Sequence, residues 1–198
     1  MHRLAQLHQQ RYAGRPVEVS SPQGRFASQA SVVDGRVLER AEAHGKHLFH
    51  FYGPDAVVHV HLGLYGTFTE RELPLAAPVG QVRMRLVGGT HWTDLRGPNA
   101  CELLVDEQVS LLRARLGPDP LRADAKPERA LARISRSRVA LAALLLDQSV
   151  LAGVGNVYRA EVLFRHGLHP LLPGAALGPD AWRDVWCDLV ALMREGVR

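Results

Sequence analysis

Alternation of apolar and polar residues dominates the first three-fifths of the chain and predicts β-structure. It is clearest in three runs, residues 47–52, 57–62 and 81–86. In the second run, Val58, Val60 and Leu62 share one face, and in the third, Arg83 and Arg85 lie opposite Met84. Short strands separated by turn residues predict a sandwich or a barrel.

Two further signals belong to this β-rich part. Asp34-Gly35 stands between the apolar pairs at 32–33 and 37–38, a pattern that predicts a two-residue β-hairpin. Ahead of it, Leu4 and Leu7 are spaced i,i+3, which predicts a helix from His2 to about Tyr12.

The pattern changes after the turn-rich residues 116–120, where helical periodicity takes over. Helices are predicted over residues 127–134, over 139–148 after a Ser137 cap, and over 156–165, ending before Gly167 and Pro170. A last helix opens at Pro179 with an apolar stripe formed by Trp182, Val185, Trp186, Leu189 and Met193. We therefore expect a β domain at 1–116, a linker at 117–126 and a helical domain at 127–198.

Composition narrows the class of protein. The chain has 198 residues, 46% of them apolar, enough for packed cores, and its net charge of +4 is compatible with a basic face that meets a polyanion. Cys101 and Cys187 have no metal-ligand or disulfide spacing, so neither a zinc site nor a secreted disulfide framework is expected. No signal peptide or membrane-spanning run is visible, and we expect a cytoplasmic protein.

The stretch from Gly153 to Glu161, GVGNVYRAE, resembles a phosphate-binding turn. A dinucleotide fold would need a strand before it and a third glycine at Tyr158, whereas residues 140–148 read as a helix. The glycines then serve either as a simple turn between helices, or as the approach to a helix that begins at Asn156. In the second case Asn156 is the N-cap, and the free amides of the helix start suit a phosphate.

Other polar residues leave alternatives open. Arg129, Arg133, Arg136 and Arg138 form either a phosphate-attracting surface or an ordinary solvated face. His59 and His61 would lie on one face of a strand at a spacing compatible with metal ligation, but no third ligand joins them.

Lys46 is one of only two lysines in the chain and follows a glycine ahead of a strand. It is either a functional cation that contacts phosphate or takes part in chemistry, or a surface lysine at a turn.

The order of these motifs resembles the formamidopyrimidine-DNA glycosylase and endonuclease VIII family of base-excision repair enzymes, over essentially the whole chain. The endonuclease VIII branch, in an actinobacterial style, is the better match because of Gly63-Leu64-Tyr65. The motifs that carry the resemblance are AHGKHLF at 43–49, HVHLGLYG at 59–66, TDLRGP at 93–98, LGPDPL at 116–121, LLDQSVLAGVGNVYRAE at 145–161 and His169-Pro170.

The resemblance implies an N-terminal β-sandwich followed by a helix-two-turn-helix domain, an α+β fold, and a protein that flips a damaged base out of duplex DNA. By resemblance, Lys46 and Glu161 are the catalytic candidates, Lys46 assisting base release and Glu161 serving as a buried acid near the catalytic N-terminus. The implied DNA contacts are phosphate ligands, wedge residues and an arginine facing the opposite strand: His61, Leu64, Tyr65, Arg96, Gly155 and Asn156. Double-stranded DNA with damaged bases or abasic sites is the implied partner, and we expect a monomer.

Two departures from the family pattern bear on activity. Family members begin Met-Pro-Glu-Gly, and the proline amine forms a Schiff base with the sugar, whereas this sequence begins Met1-His2-Arg3. The family's four-cysteine zinc finger has no counterpart after the last predicted helix. We expect no cofactor in this chain and no activity from the chain as it stands. A fragment or a misplaced start would explain both departures.

Three hypotheses follow from the sequence. The first is a bifunctional DNA glycosylase and abasic-site lyase that removes oxidised bases, pyrimidines in particular. The second is a non-catalytic binder of damaged or bent DNA, with a steep dependence on salt. The third, from another class, is a metal-dependent hydrolase that uses His59 and His61.

Overall fold

The computed structural model describes all 198 residues and divides them into two compact units, Met1–Leu111 and Leu112–Arg198. The division lies within helix α3 (Asp106–Ala114). The segment predicted as a linker, 117–126, therefore belongs to the second unit, where the amide of Gly117 donates to the carbonyl of Gln148 at 2.9 Å. None of the helices combines the length and hydropathy needed to cross a bilayer.

The first unit contains two four-stranded antiparallel sheets. The first sheet has the strand order β10-β6-β5-β4 and the second sheet the order β2-β8-β9-β7, while β1 and β3 form a separate short pair. The strands are β1 (Arg15–Pro16), β2 (Glu18–Ser20), β3 (Val37–Leu38), β4 (Arg40–His44), β5 (His47–Phe51), β6 (Val57–His61), β7 (Thr67–Glu72), β8 (Val82–Val87), β9 (His91–Arg96) and β10 (Ala100–Leu104). Helices α1 (His2–Tyr12) and α2 (Ala27–Val33) complete the unit together with the start of α3.

A single apolar core joins the two sheets, which confirms the predicted β-sandwich. Val58 and Val60 project into it from the first sheet, and Met84 and Leu86 from the second. The alternation read from the sequence thus identified the inward faces, because successive side chains of a strand point to opposite sides. The helix predicted at His2–Tyr12 is also present.

The predicted hairpin at 32–38 is wrong. Residues Ala27–Val33 form α2, and Asp34-Gly35 makes the turn that ends this helix, with Gly35 at φ 74°. Ala30 and Val33 are buried in the core at i,i+3 spacing, so tertiary packing favours a helix over a strand there. The Asp34 carboxylate accepts a hydrogen bond from the amide of Val19 at 2.8 Å, which ties the turn to β2.

The second unit is helical around its own core. Its helices are α4 (Pro127–Ile134), α5 (Leu141–Leu146), α6 (Asn156–Arg165), a short 3₁₀ turn (Gly174–Ala176) and α7 (Pro179–Val197). The stripe predicted for α7 is confirmed for Trp182, Val185, Leu189 and Met193, which are buried. Helix α5 is shorter than predicted, beginning at Leu141, because the Ser137 hydroxyl accepts from the amide of Val139 in a local turn rather than capping the helix.

Candidate nucleic-acid interface

Strand register places three loops of the first unit at the same end of the sandwich. His61, the last residue of β6, pairs with His47 at the start of β5 and with Ala100 at the start of β10. Thr67, the first residue of β7, pairs with Arg96 at the end of β9. The β4–β5 turn, the β6–β7 loop and the β9–β10 loop therefore lie together, and they carry Lys46, Leu64–Tyr65 and the residues that follow Arg96.

The β6–β7 loop presents two large apolar side chains to solvent. Leu64 is 90% exposed and Tyr65 is 85% exposed, whereas most residues of this kind are buried in the unit. The loop itself is well defined, because the amide of Gly66 donates to the carbonyl of Leu62 at 3.0 Å. Gly63, at φ 68°, packs against the side chain of Asn99 so closely that no Cβ would fit. A rigid loop thus carries two unpacked apolar side chains at its tip.

Lys46 and His61 approach each other beside this loop. Gly45 has a φ of 57°, which allows the tight β4–β5 turn that carries Lys46. Burial lowers the pKa of Lys46 below its ordinary value. Burial also lowers the pKa of His61, with further lowering from His59 and from the Lys46 ammonium group. A half-buried ammonium group and an imidazole that repel a further positive charge form a favourable position for an anion.

The Arg96 side chain makes hydrogen bonds within the chain. Its guanidinium donates to the Asp94 carboxylate at 2.8 Å, to the backbone carbonyl of Val79 at 3.1 Å and to the Thr69 hydroxyl at 3.3 Å. Its side chain is 29% exposed. The predicted role of Arg96 at the opposite DNA strand stays a prediction, but its bond to the Val79 carbonyl ties the 73–81 loop to β9.

The glycine-rich turn of the second unit ends at an uncapped helix start. Gly153, at φ 91°, needs glycine, whereas Gly155 has extended backbone and is the N-cap of α6. Asn156 is the first helical residue rather than the N-cap, so that part of the prediction is wrong. No side chain caps this end, and the first amides of α6 have no partner within the helix. Asn156 is exposed beside them.

Gln148 organises this turn, and the sequence reading missed it. Its side-chain amide donates to the carbonyls of Leu146 at 2.8 Å and Val154 at 3.0 Å, and its oxygen accepts from the amide of Gly153 at 2.9 Å. Three bonds from one side chain fix both sides of the turn ahead of α6. A glutamine five residues before a turn glycine was the only signal in the sequence.

Glu161 does not lie in a buried position within its unit. It is exposed on α6, whereas the resemblance predicted a buried acid. The adjacent Val162 and Leu163 face the helical core, and this orientation turns Glu161 outward. Its predicted catalytic role stays a prediction.

Metal chemistry has no support among these residues. No group of three or more His, Cys, Asp or Glu side chains is arranged to hold a metal ion. Both ring nitrogens of His59 already contact other side chains, Glu102 at 2.9 Å and His47 at 2.8 Å. The two cysteines of this chain lie in different units and do not fit the family's four-cysteine zinc site.

Comparison with known proteins agrees with this arrangement. Residues 116–198 match the formamidopyrimidine-DNA glycosylase H2TH domain. The whole chain is 59% identical to "Endonuclease 8 1" of Mycobacterium tuberculosis, of which it covers 75%. It is also 30% identical to the formamidopyrimidine-DNA glycosylase of Chloroflexus aurantiacus, over 85% of this chain and 62% of that protein.

Solved structures share the fold. The crystal structure of Lactococcus lactis formamidopyrimidine-DNA glycosylase bound non-covalently to DNA containing an abasic site superposes with a TM-score of 0.84. At 20% identity it covers 98% of this chain, which covers 78% of that one. A structure of MutM with DNA containing carbocyclic 8-oxo-G has a TM-score of 0.82 at 19% identity, over the same shares of the two chains.

A two-sheet sandwich followed by a helix-two-turn-helix domain is the fold of the solved DNA glycosylase structures, and the identity to relatives along the chain places it in the DNA repair glycosylase class. The likeness to the mycobacterial proteins over the entire chain makes the assignment narrower. The chain belongs to the formamidopyrimidine-DNA glycosylase and endonuclease VIII family.

Proposed function

We propose that this chain is the lesion-binding scaffold of a bifunctional DNA glycosylase and abasic-site lyase. It acts in base-excision repair on oxidised bases, pyrimidines in particular, as a monomer on DNA in the bacterial cytoplasm. The observation that carries the proposal is the rigid loop with Leu64 90% and Tyr65 85% exposed, beside Lys46 and His61. Two apolar side chains without packing partners are the groups needed to fill the gap left by a flipped base.

The proposed DNA contacts comprise one phosphate site in each unit and two further polar residues. Lys46 and His61 hold a backbone phosphate in the first unit, and Lys46 assists release of the base. In the second unit, the amides at Gly155 and Asn156 hold another phosphate, because an uncapped helix start binds anions. Arg96 faces the opposite strand, and Glu161 acts near the catalytic terminus.

Binding to a duplex with a tetrahydrofuran abasic site, compared with the intact duplex, tests the scaffold role. We expect tighter binding to the abasic duplex, and we expect Leu64→Ala with Tyr65→Ala to remove most of that preference. Leu171→Ala is the control, because Leu171 is another exposed leucine, 71% exposed, in the second unit. Equal affinity for the two duplexes, or loss of preference with Leu171→Ala as well, would contradict the proposal.

Borohydride trapping on an abasic duplex tests the chemistry separately. The family's nucleophile is a proline amine, and the first proline of this sequence is Pro16, beyond α1. We expect a covalent adduct when Pro-Glu-Gly-His-Thr is supplied ahead of α1, and none with an Ala-Glu-Gly-His-Thr start. A chain with the proline start that binds the abasic duplex but is never trapped supports the alternative, a non-catalytic binder of damaged DNA.

A further inference from the structure

A chain of hydrogen bonds crosses the outer face of the first sheet behind Lys46 and His61. Nδ1 of His59 lies 2.9 Å from Oε1 of Glu102, and Nε2 of His59 lies 2.8 Å from Nδ1 of His47. Strand register pairs Glu102 of β10 with His59 of β6, whereas His47 of β5 is paired with His61 and reaches His59 diagonally. The chain begins at a carboxylate that is 48% exposed and passes through an imidazole that is only 3% exposed.

The chemistry of the groups sets the direction of the donors. An ionised carboxylate only accepts, so His59 donates from Nδ1 to Glu102. Nε2 of neutral His59 is then an acceptor, and His47 donates to it from Nδ1. The remaining ring nitrogen of His47, Nε2, is the basic one. A proton taken up there is stabilised by the Glu102 carboxylate through His59.

His47 stands next to the expected phosphate position. Its ring centroid is 4.9 Å from that of His61, its partner across β5 and β6. The groups around His47 are His44 and Glu42 on the same face of β4, His59 and His61 on β6, and Glu102 of β10 through His59, with Lys46 preceding it in the turn. Glu42 lies one pair further along, across from Phe49, and accepts from Arg40 at 2.7 Å, so the charges that act on His47 directly are those of His59, His61 and His44, and all three disfavour its protonation.

Protonation of this cluster is therefore unfavourable until an anion arrives. Burial, followed by repulsion from His59, His61 and His44, lowers the pKa of His47 to about 3. A phosphate within about 4 Å would favour the protonated ring by roughly three powers of ten at an effective dielectric constant near 20. The phosphate would thus bring protonation of His47 into the range just below neutral pH.

We infer that Glu102, His59 and His47 form a proton relay that couples phosphate binding at Lys46 and His61 to the uptake of one proton from solvent. The inference rests on the proposed function, since the phosphate is that of bound DNA. The only bond formed is the N–H bond at Nε2 of His47, and the proton offsets one phosphate charge. Glu102 and His59 are positioning residues that act through His47.

The sign of the pH effect follows from linkage. Because the complex binds more protons than the free chain, affinity for DNA rises as pH falls through the pKa of the complex, by at most tenfold per pH unit. Anisotropy titrations of the full chain with a tetrahydrofuran-containing duplex, at constant ionic strength from pH 8 to 5, measure this slope. We expect little change from pH 8 to 7 and a three- to tenfold gain per unit below pH 6.

Glu102→Gln removes the charge of the relay at a half-exposed position where folding is not at risk. We expect its affinity at pH 8 to stay within about twofold of the wild type, while its gain at pH 5 falls severalfold. Glu72→Gln is the matched control, because Glu72 is an exposed carboxylate 3.9 Å from His91 on the second sheet. Equal slopes in the wild type and Glu102→Gln would overturn the relay.

Nitrogen-15 spectra of the imidazoles give a readout that does not depend on DNA. We expect neutral His47 and His59 at pH 7, both with the proton on Nδ1, and the opposite tautomer of either ring would overturn the inference. Binding of the abasic duplex without any pH slope overturns the relay and leaves the proposed function standing. Absence of duplex binding at every pH overturns both.

Discussion

Glu70 is the acceptor at the centre of a polar network inside the first unit. Its carboxylate accepts from Nε2 of His8 at 2.7 Å, from Arg11 at 2.9 Å and from the Tyr12 hydroxyl at 3.0 Å. These three residues lie on α1, whereas Glu70 lies on β7, so the network ties the first helix to the second sheet. The perturbation that tests it is Glu70→Gln, which keeps the shape of the side chain and removes its charge.

The size of the effect follows from the pKa of Glu70. Burial by itself would raise this pKa, but hydrogen bonding to His8 and its charge, with the Tyr12 hydroxyl, lower it from 4.5 to about 2. At 1.36 kcal/mol per pKa unit, the ionised carboxylate stabilises the unit by about 3 kcal/mol. Because the pKa is lower in the folded state, this stability is fully present above pH 4.5 and is lost as pH falls towards 2.

Hydrogen exchange of β7 peptides, followed by mass spectrometry in increasing urea, measures the opening of the first unit alone. We expect Glu70→Gln to lower its free energy of unfolding by about 3 kcal/mol at pH 7 and to flatten its dependence on pH between 4.5 and 2. Glu72→Gln, on the same strand with its side chain 84% exposed, should change it by less than about 0.5 kcal/mol. Equal losses in the two variants, or an unchanged acid transition in Glu70→Gln, would refute the reasoning.

Three further predictions concern binding and packing. Lys46→Ala should weaken binding to abasic duplex and lower the slope of log affinity against log salt by about one. Lys126→Ala, at an exposed helix start, should lower both the affinity and the slope by less. Titrations at several salt concentrations measure the affinity and the slope. Leu64→Ala should leave thermal stability within about 0.5 kcal/mol, because the side chain is 90% exposed, yet reduce the preference for abasic over intact duplex. Gly174→Ala should destabilise the second unit by about 1–3 kcal/mol, because the added Cβ would lie 2.6 Å from a backbone oxygen of α4. Gly178→Ala is the control, because its Cβ would meet open space. Urea denaturation compares the two variants, and equal midpoints would contradict the packing argument.

Periodicity alone identified most elements of the fold. The helices at His2–Tyr12, Pro127–Ile134 and Asn156–Arg165 begin and end where the sequence placed them. These segments combine an apolar face with a breaker or a Pro start, so local and tertiary preferences agree. The prediction of a hairpin at 32–38 was wrong because an Asp-Gly pair fits the end of a helix as well as a hairpin, and only the burial of Ala30 and Val33 decides between them.

The candidate site was also predicted only in part from the sequence. Motif order was enough to indicate a DNA repair glycosylase and to single out Lys46, His61, Leu64, Tyr65 and Asn156, because those residue types at those spacings carry the resemblance. It could not show that Leu64 and Tyr65 are unpacked, since apolar residues are normally buried and exposure depends on the whole loop.

Only the tertiary structure brought together residues that are far apart in the chain. Arg85 and Asp94 form a buried bidentate pair at 2.6 and 2.8 Å, whereas the alternation showed only that Arg85 lies opposite Met84. Glu102, His59 and His47 become neighbours through the register of three strands. The sequence determines the elements and the kinds of chemistry available. Strand register and burial, which depend on long-range pairing, determine which of those groups meet and which protons they hold.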